Sequence, residues 1–453
     1  MLARPENVGI KALEIYFPNQ YVDQTDLEKY MGVSPGKFTL GLGQTTMAFC
    51  DDREDIYSIL LTTVSSLLVK YSIPPTSIGR LEVGTETVLD KAKSCKSVLM
   101  QLFSPSGNSD IEGIDTIHAC YGGTNALFNA VNWIESSSWD GRDAIVVMGD
   151  IAMYDTPAAR PTGGVGCVAM LVGADAPLVV EGKGKASWMQ HAYDFYKPDF
   201  GREYPVVDGH YSNKCYLTGL EECYKGHHLK KEKAMETQSL PQEKTRLGVF
   251  DYMIFHAPYC KLVSKSYARL LYQDYLHNPS HAAFVDVPSS IASIDHEASL
   301  TDKTIEKTFV NLSKVDFAAR VQPSLTAATL CGNSYTASVY SCLVSLICNV
   351  PSEQLRGASV GVFSYGGGSA STLYTIRVRG DVSDIARTID LHRRLEARHR
   401  VSPEEYNQAC ILREQAHQQK AFVPQGGLDR LASGTYYLTE IDALFRRQYA
   451  VKP

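Results

Sequence analysis

The sequence predicts an α/β fold made of two duplicated halves, and three observations lead there. The first is an ordinary globular composition: 453 residues, 44% hydrophobic and 21% charged, with glycine and proline near average usage. A chain of that length can bury a substantial core without staples, which excludes collagen-like and largely disordered classes. The second is the order of elements from Thr116 to Val172. An apolar strand leads into Cys120, a small-residue helix runs through Trp133, and strand Ala144 to Met148, a Gly-rich turn and strand Val168 to Val172 follow. The third is a later run in the same order: a short strand Ala327 to Cys331, a small-residue helix Ser334 to Cys348, a strand Ala358 to Phe363, Gly366-Gly367-Gly368, and Ser371 to Val378. Chance similarity of two α/β segments is the competing explanation. Duplication would instead bring two strand-to-helix corners, at Cys120 and Cys331, to a shared site. The halves are then 1–175, with Glu86 and Cys120, and 176–453, with His256 and Asn333.

Along the chain, Val8 to Phe17 is apolar and ends at Pro18-Asn19, a strand and turn that enter the fold at once. Ile56, Ile59, Leu60, Val64, Leu67 and Leu68 recur at helical spacing, and Pro74-Pro75 closes that helix. The polar stretch Lys225 to Arg246 and the run His277 to Thr304 read as solvated helix ends or insertions.

Lys and Arg total 44 against 50 Asp and Glu, a formal charge of −6, which argues against a nucleic-acid partner. Eleven cysteines are an odd number, scattered and without a Cys-x-x-Cys pair, which fits a reducing compartment better than a disulfide framework. No run of 18 apolar residues appears, and Met1 to Asn7 has the character of neither a signal nor an organellar presequence. A cytoplasmic chain with no membrane partner is expected.

The strongest local feature is Ile117-His118-Ala119-Cys120-Tyr121-Gly122-Gly123-Thr124, followed by apolar residues at helical spacing. It places Cys120 at a helix start, where unpaired N–H groups and the dipole favour a thiolate, the form that attacks an acyl carbon. Gly122 and Gly123 leave open space beside the sulfur. Glu86 follows the apolar strand Leu81 to Gly84; facing a crevice it would be a general base with a raised pKa, and with Lys91 and Lys93 behind it the residue reads equally as a helix N-terminal acid. His256 ends the apolar run Val249 to Phe255, which points it to a rim. Lys261 and Lys265, four apart on one helix face, could receive phosphates, although a solvated surface explains them better on spacing alone.

Two other signals carry little. Gly164-Val165-Gly166-Cys167-Val168-Ala169 matches a dinucleotide fingerprint, yet it follows Arg160-Pro161-Thr162 rather than a strand and runs into strand-like residues. His227-His228 lies in the polar stretch without a ligand-spaced partner set, so no metal is expected.

Together these segments resemble the 3-hydroxy-3-methylglutaryl-CoA synthase family of the eukaryotic type. The most specific strings are Glu82 to Thr87, Ala119 to Gly123, Asn132 to Gly141, Gln190 to Pro198 and Phe255-His256, and the match extends from Gly41-Leu42-Gly43-Gln44 to Pro424-Gln425-Gly426. The resemblance implies a thiolase-like fold of five αβαβα layers, active as a homodimer, with acetyl-CoA and acetoacetyl-CoA as substrates and no separate cofactor. It implies that Cys120 carries an acetyl thioester, Glu86 deprotonates its methyl group, and His256 positions acetoacetyl-CoA and polarises its ketone. Backbone N–H groups of Cys120 and Gly367 would stabilise an oxyanion. Asn333, Tyr335, Thr162, Ser212, Tyr121, Asp90, Asp150, Asp194 and Tyr365 fall on family positions around the pocket. Lys261 and Lys265 match lysines at the CoA entrance.

There are departures. The family usually has Asn-Gly-Asn where this chain has Cys331-Gly332-Asn333, and Tyr-Gly-Ser-Gly where it has Tyr365-Gly366-Gly367-Gly368. Thr46 and Ala158 stand where Lys and Asn are expected. The alternatives are another thiolase-fold condensing enzyme of the ketoacyl or polyketide synthase kind, which would not need Glu86, and a silent paralogue, which would not need an activated thiol beside a base.

Overall fold

The structure, a computed structural model, describes residues 5–235 and 244–453. Residues 1–4, at the chain start discussed above, and 236–243, in the polar stretch, lie outside the described residues.

Nine strands form one sheet: Gly9–Tyr16 (β1), Ile78–Gly84 (β2), Asp115–Thr116 (β3), Asp143–Ala152 (β4), Gly164–Gly173 (β5), Leu178–Met189 (β6), Tyr252–Phe255 (β7), Ser359–Gly366 (β8) and Ala370–Val378 (β9). Across the sheet the order is β7-β8-β9-β6-β1-β5-β4-β2-β3. β2 pairs parallel with β4, β4 antiparallel with β5, and β5 antiparallel with β1. β7 pairs parallel with β8, β8 antiparallel with β9, and β9 antiparallel with β6. One pattern therefore occurs twice, with β1-β2-β4-β5 matching β6-β7-β8-β9, and the pairs β4-β5 and β8-β9 are those that the repeated sequence order predicts. The copies join where Gly9 and Ile10 pair with Val179 and Leu178. A Cβ on Gly9 would lie 2.0 Å from the Leu178 carbonyl oxygen, so this seam requires glycine.

The helices that matter for the site are Ile56–Lys70 (α1), Gly122–Ile134 (α2), Gly209–Met235 (α3), Cys260–His277 (α4), Thr326–Cys331 (α5) and Ser338–Asn349 (α6). A capping box between Asp55 and Ser58 opens α1. Its apolar face packs with Ile145 and Val147, whereas Ala144, Val146 and Met148 from the other face of β4 pack with α2. β9 alternates in the same way. Cys223 of α3 meets Ser371, while Tyr374, on the opposite face, meets Phe128 of α2 and Tyr340 of α6. α2 and α6 thus form an inner layer between the two half-sheets, with α1 and α3 outside. This is a five-layered αβαβα arrangement.

The second copy differs from expectation at its first element. Ala327 to Cys331, read as a strand, lies in the helix Thr326–Cys331. Ala327, Ala328 and Leu330 are strong helix formers, and Gly332, at φ 81°, ends the turn. His227 and His228 are not solvated either; both are buried, and burial lowers their pKa values. All eleven cysteines are unbridged. No helix among the described residues is long and apolar enough to cross a membrane.

Candidate active site

Cys120 sits on a sharp corner between β3 and α2. Ala119 before it has φ 40°, a left-handed value that costs energy for any residue with a Cβ. Gly122 and Gly123 open α2, and close packing explains both. A Cβ on Gly122 would meet the Thr116 carbonyl oxygen at 2.7 Å, and one on Gly123 the Thr336 carbonyl oxygen at 2.8 Å. Cys120 clusters with Ala152, Tyr154, Phe195 and Tyr335, and the residue is 8% exposed.

Glu86 reaches it from the end of β2. Cys120 Sγ donates to Glu86 Oε1 at 3.6 Å, and Lys197 Nζ lies 2.9 Å from Glu86 Oε2. Burial lifts the Glu86 pKa to about 7; Lys197 opposes the shift and Asp150 reinforces it. Burial, then the Glu86 and Asp150 carboxylates, push the Cys120 thiol well above its ordinary value. This corrects the expectation of a thiolate favoured by the helix start. α2 begins two residues later, at Gly122, and desolvation with two nearby carboxylates raises the pKa of the sulfur that lies beside the Glu86 carboxylate.

Asp150 lies under this pair instead of lining a pocket. Its Oδ1 accepts from Thr85 Oγ1, the Glu86 N–H, and both the N–H and Oγ1 of Thr87, at 2.7 to 3.0 Å. Its Oδ2 accepts from the N–H and Oγ1 of Thr336. One fully buried carboxylate therefore ties the Glu86-bearing turn of the first half to the Tyr335-Thr336 turn of the second. Tyr335 has φ 45°, and its N–H donates to Asn333 Oδ1 at 2.9 Å. Asn333 is held in turn by its N–H to the Gly163 carbonyl oxygen at 3.1 Å.

His256 follows β7 as its strand-end reading predicts, but it is buried rather than set at a rim, because its N–H continues the pairing with β8 by donating to the Phe363 carbonyl oxygen at 2.8 Å. Burial lowers its pKa to about 3, so the ring is neutral. Tyr216 OH donates to the His256 carbonyl oxygen at 2.7 Å, and its ring lies 5.1 Å from that of Tyr365. Tyr365 begins the glycine loop, whose Gly366 presses on the Cys120 corner; a Cβ there would be 2.6 Å from the Tyr121 nitrogen. Asp194 secures this loop, accepting from Tyr365 OH and the Gly368 N–H at 2.7 Å and from Ser212 Oγ at 3.2 Å. His256 and Asn333 are thus linked to the Cys120 corner from the second half by intermediate residues, His256 through Tyr216 and Tyr365 and Asn333 through Tyr335.

A cavity of about 350 Å³ reaches Glu86, His118, Ala119, Phe195, Lys197 and Gly367. Some expected site residues stand elsewhere. Asp90 is exposed, and its Oδ1 caps the Ala92 and Lys93 N–H groups at 2.7 Å, so it is a turn residue and not a pocket residue. Tyr121 turns into the inner layer, where its OH meets Thr372 Oγ1 at 2.7 Å. Thr162 Oγ1 donates to the Ala159 carbonyl oxygen at 2.7 Å. Lys261 is exposed on the first turn of α4, and Lys265 pairs with Glu306 at 3.3 Å; neither lines this cavity. Of the departures, Thr46 Oγ1 donates to the Leu330 carbonyl oxygen, which joins it to α5. Lys197 and Phe195 carried no assignment in the sequence, although they lie within the string Gln190 to Pro198. Their own neighbourhood has no periodic pattern that would single them out.

Family models of the hydroxymethylglutaryl-coenzyme A synthase N-terminal and C-terminal regions match residues 4–177 and 178–452. The chain belongs to the hydroxymethylglutaryl-CoA synthase family. It is 60% identical to the hydroxymethylglutaryl-CoA synthase erg13B of Aspergillus fumigatus, covering 100% of both chains. It is 56% identical to the hydroxymethylglutaryl-CoA synthase of Saccharomyces cerevisiae, covering 99% of this chain and 91% of that one. Among solved structures, MvaS in complex with 3-hydroxy-3-methylglutaryl coenzyme A superposes with a TM-score of 0.85 at 33% identity, covering 100% of both chains. Membership in this family agrees with a duplicated, thiolase-like fold that brings a thiol and a carboxylate together.

Proposed function

We propose that the protein condenses acetyl-CoA with acetoacetyl-CoA and water to give 3-hydroxy-3-methylglutaryl-CoA and free CoA, the step that feeds the mevalonate route to isoprenoids and sterols. The observation that carries this reading is the buried contact between Cys120 and Glu86, in a chain 60% identical to a named synthase. Glu86 Oε1 takes the Cys120 proton; the sulfur attacks the acetyl carbonyl, and the C–S bond to CoA breaks. The departing CoA sulfur takes that proton from Glu86, leaving acetyl-S-Cys120, CoA and an ionised Glu86. Glu86 then removes a proton from the acetyl methyl, and the carbanion equivalent forms a C–C bond to the acetoacetyl ketone, whose oxygen is protonated. Water cleaves the thioester to Cys120, which regains its thiol.

The neutral His256 ring can donate a hydrogen bond to that ketone. The N–H groups of Cys120 and Gly367 would serve the thioester oxyanion. Asn333, Tyr335, Thr162 and Ser212 would line the acyl and pantetheine path, and Lys261 and Lys265 would meet CoA phosphates. No cofactor is required, because a thioester itself acidifies the methyl hydrogens. A homodimer is supported by the open edge of β3, flanked by Ile114 and Ile117, which are 59% and 60% exposed. A cytoplasmic location is supported by the unbridged cysteines.

The test is incubation of the purified protein with acetyl-CoA and acetoacetyl-CoA, followed by mass spectrometry. An acetyl adduct on Cys120 and release of free CoA with 3-hydroxy-3-methylglutaryl-CoA are expected. Absence of both adduct and CoA release would overturn the proposal.

A further inference from the structure

We propose that Lys197 is a positioning residue for Glu86, clamping Oε2 so that Oε1 alone faces the Cys120 sulfur and the acyl group that forms on it. The inference rests on Glu86 being the base. A carboxylate that serves first a thiol and then a methyl group must present one oxygen to both, and a free carboxylate on a turn can rotate. Here the two oxygens have separate partners: Oε1 has Cys120 Sγ at 3.6 Å, and Oε2 has Lys197 Nζ at 2.9 Å.

The ammonium is itself fixed. Lys197 follows the two-residue strand Phe195–Tyr196, which pairs with Val206–Val207, and Pro198 comes next. Its Nζ lies 4.7 Å from the centroid of the Tyr335 ring and 5.8 Å from that of Phe195, and its side chain is 17% exposed. Two aromatic faces from different stretches thus hold the cation over the base.

The charge balance around Glu86 points the same way. Asp150 approaches from β4, Cys120 from the corner before α2, and Lys197 from the Phe195–Tyr196 hairpin; the Tyr154 and Tyr335 phenols stand close by. Burial and Asp150 both disfavour an ionised Glu86, and Lys197 offsets them. Lys197 neither gains nor loses a proton in the cycle. The methyl proton goes to Oε1, and the C–H electron pair goes to the enolate.

Three variants test this. In Lys197→Met, the acid limb of the condensation rate should move up by about one pH unit or more, because an opposite charge within ~4–6 Å has been lost. kcat at pH 7 should fall by about tenfold to a hundredfold, as loss of orientation costs, while KM for both thioesters changes little. Alkylation of Cys120 should need a higher pH, since Lys197 also favours the thiolate. Lys197→Arg should restore the limb. An acid limb and an alkylation profile both unmoved in Lys197→Met would overturn the proposal, whatever the loss in rate. The alkylation profile is read without turnover, so it decides even for a variant too slow to assay. Glu86→Gln separates the two readings: if it still condenses, the base assignment fails; if it does not and the Lys197→Met profiles are unmoved, only the clamp fails.

Discussion

Asp150 holds Glu86 by its backbone: Asp150 Oδ1 accepts the Glu86 N–H at 2.8 Å, while Oδ2 accepts from Thr336 in the other half. Asp150→Asn should therefore do two things. It should lower the urea midpoint by the equivalent of about 2–4 kcal/mol, since several hydrogen bonds to a buried charge are weakened. It should also move the acid limb of condensation to lower pH, because a negative neighbour of Glu86 is gone. A limb that rises instead would show that Asp150 does not act on Glu86 through charge.

The pH dependence of the wild type follows from the same group. As the proposed base for the acetyl methyl, Glu86 would have to be ionised, and burial lifts its pKa to about 7. Condensation under saturating substrate should fall by about tenfold per pH unit well below that value. A rate flat from pH 5 to pH 7 would exclude Glu86 as the base.

Glu86→Gln should uncouple two readouts. The Glu86 carboxylate raises the Cys120 pKa, so its loss should let iodoacetamide label Cys120 at lower pH than in the wild type. Condensation should drop by about 10²–10⁴-fold, because the methyl proton has no acceptor. Acetylation of Cys120 should persist, because the lowered Cys120 pKa supplies thiolate without the Glu86 carboxylate as its acceptor. Loss of acetylation together with alkylation would indicate a structural role.

The glycine loop is a steric device. An Ala at Gly366 would place Cβ 2.6 Å from the Tyr121 nitrogen and 2.9 Å from the His118 carbonyl oxygen, both backbone atoms of the Cys120 corner. Gly366→Ala should reduce kcat by about a hundredfold, as displacement of the corner by some tenths of an ångström misaligns the sulfur. At Gly367 the obstacle is Phe195 Cβ, 2.4 Å away, so Gly367→Ser should displace Phe195 from its place beside Cys120. A crystal structure of each variant checks the direction of movement.

Glu54, outside the site, offers a stability test. It is buried, accepts the Tyr16 hydroxyl, and has its pKa lifted to about 8, first by burial. An unfolded Glu ionises near 4.5, so between that pH and about 8 folding takes up a proton and the wild type loses stability as pH rises. Glu54→Gln should gain on the wild type across that window by up to about 1.4 kcal/mol per pH unit. Urea unfolding at pH 5, 6.5 and 8 measures it, and a difference independent of pH would refute the assignment.

By itself the sequence determined the features that one stretch of chain encodes. The corner at Cys120 is written in a strand, two glycines and a small-residue helix within twenty residues, and Glu86 and His256 are marked by the ends of apolar runs. The repeat of α2, β4 and β5 as α6, β8 and β9 was legible because each half carries its own periodicities. Only the tertiary structure decided what surrounds the Cys120 sulfur and so the direction of its pKa. A helix start favours the thiolate locally, but desolvation and two carboxylates arriving from β2 and β4 reverse the balance. It also decided that Asp90 caps a surface turn, that Ala327 to Cys331 coils instead of extending, and that Lys197, distant in sequence from Glu86, meets it across a buried gap. Such contacts depend on which segments the fold stacks together, and local spacing carries no record of them.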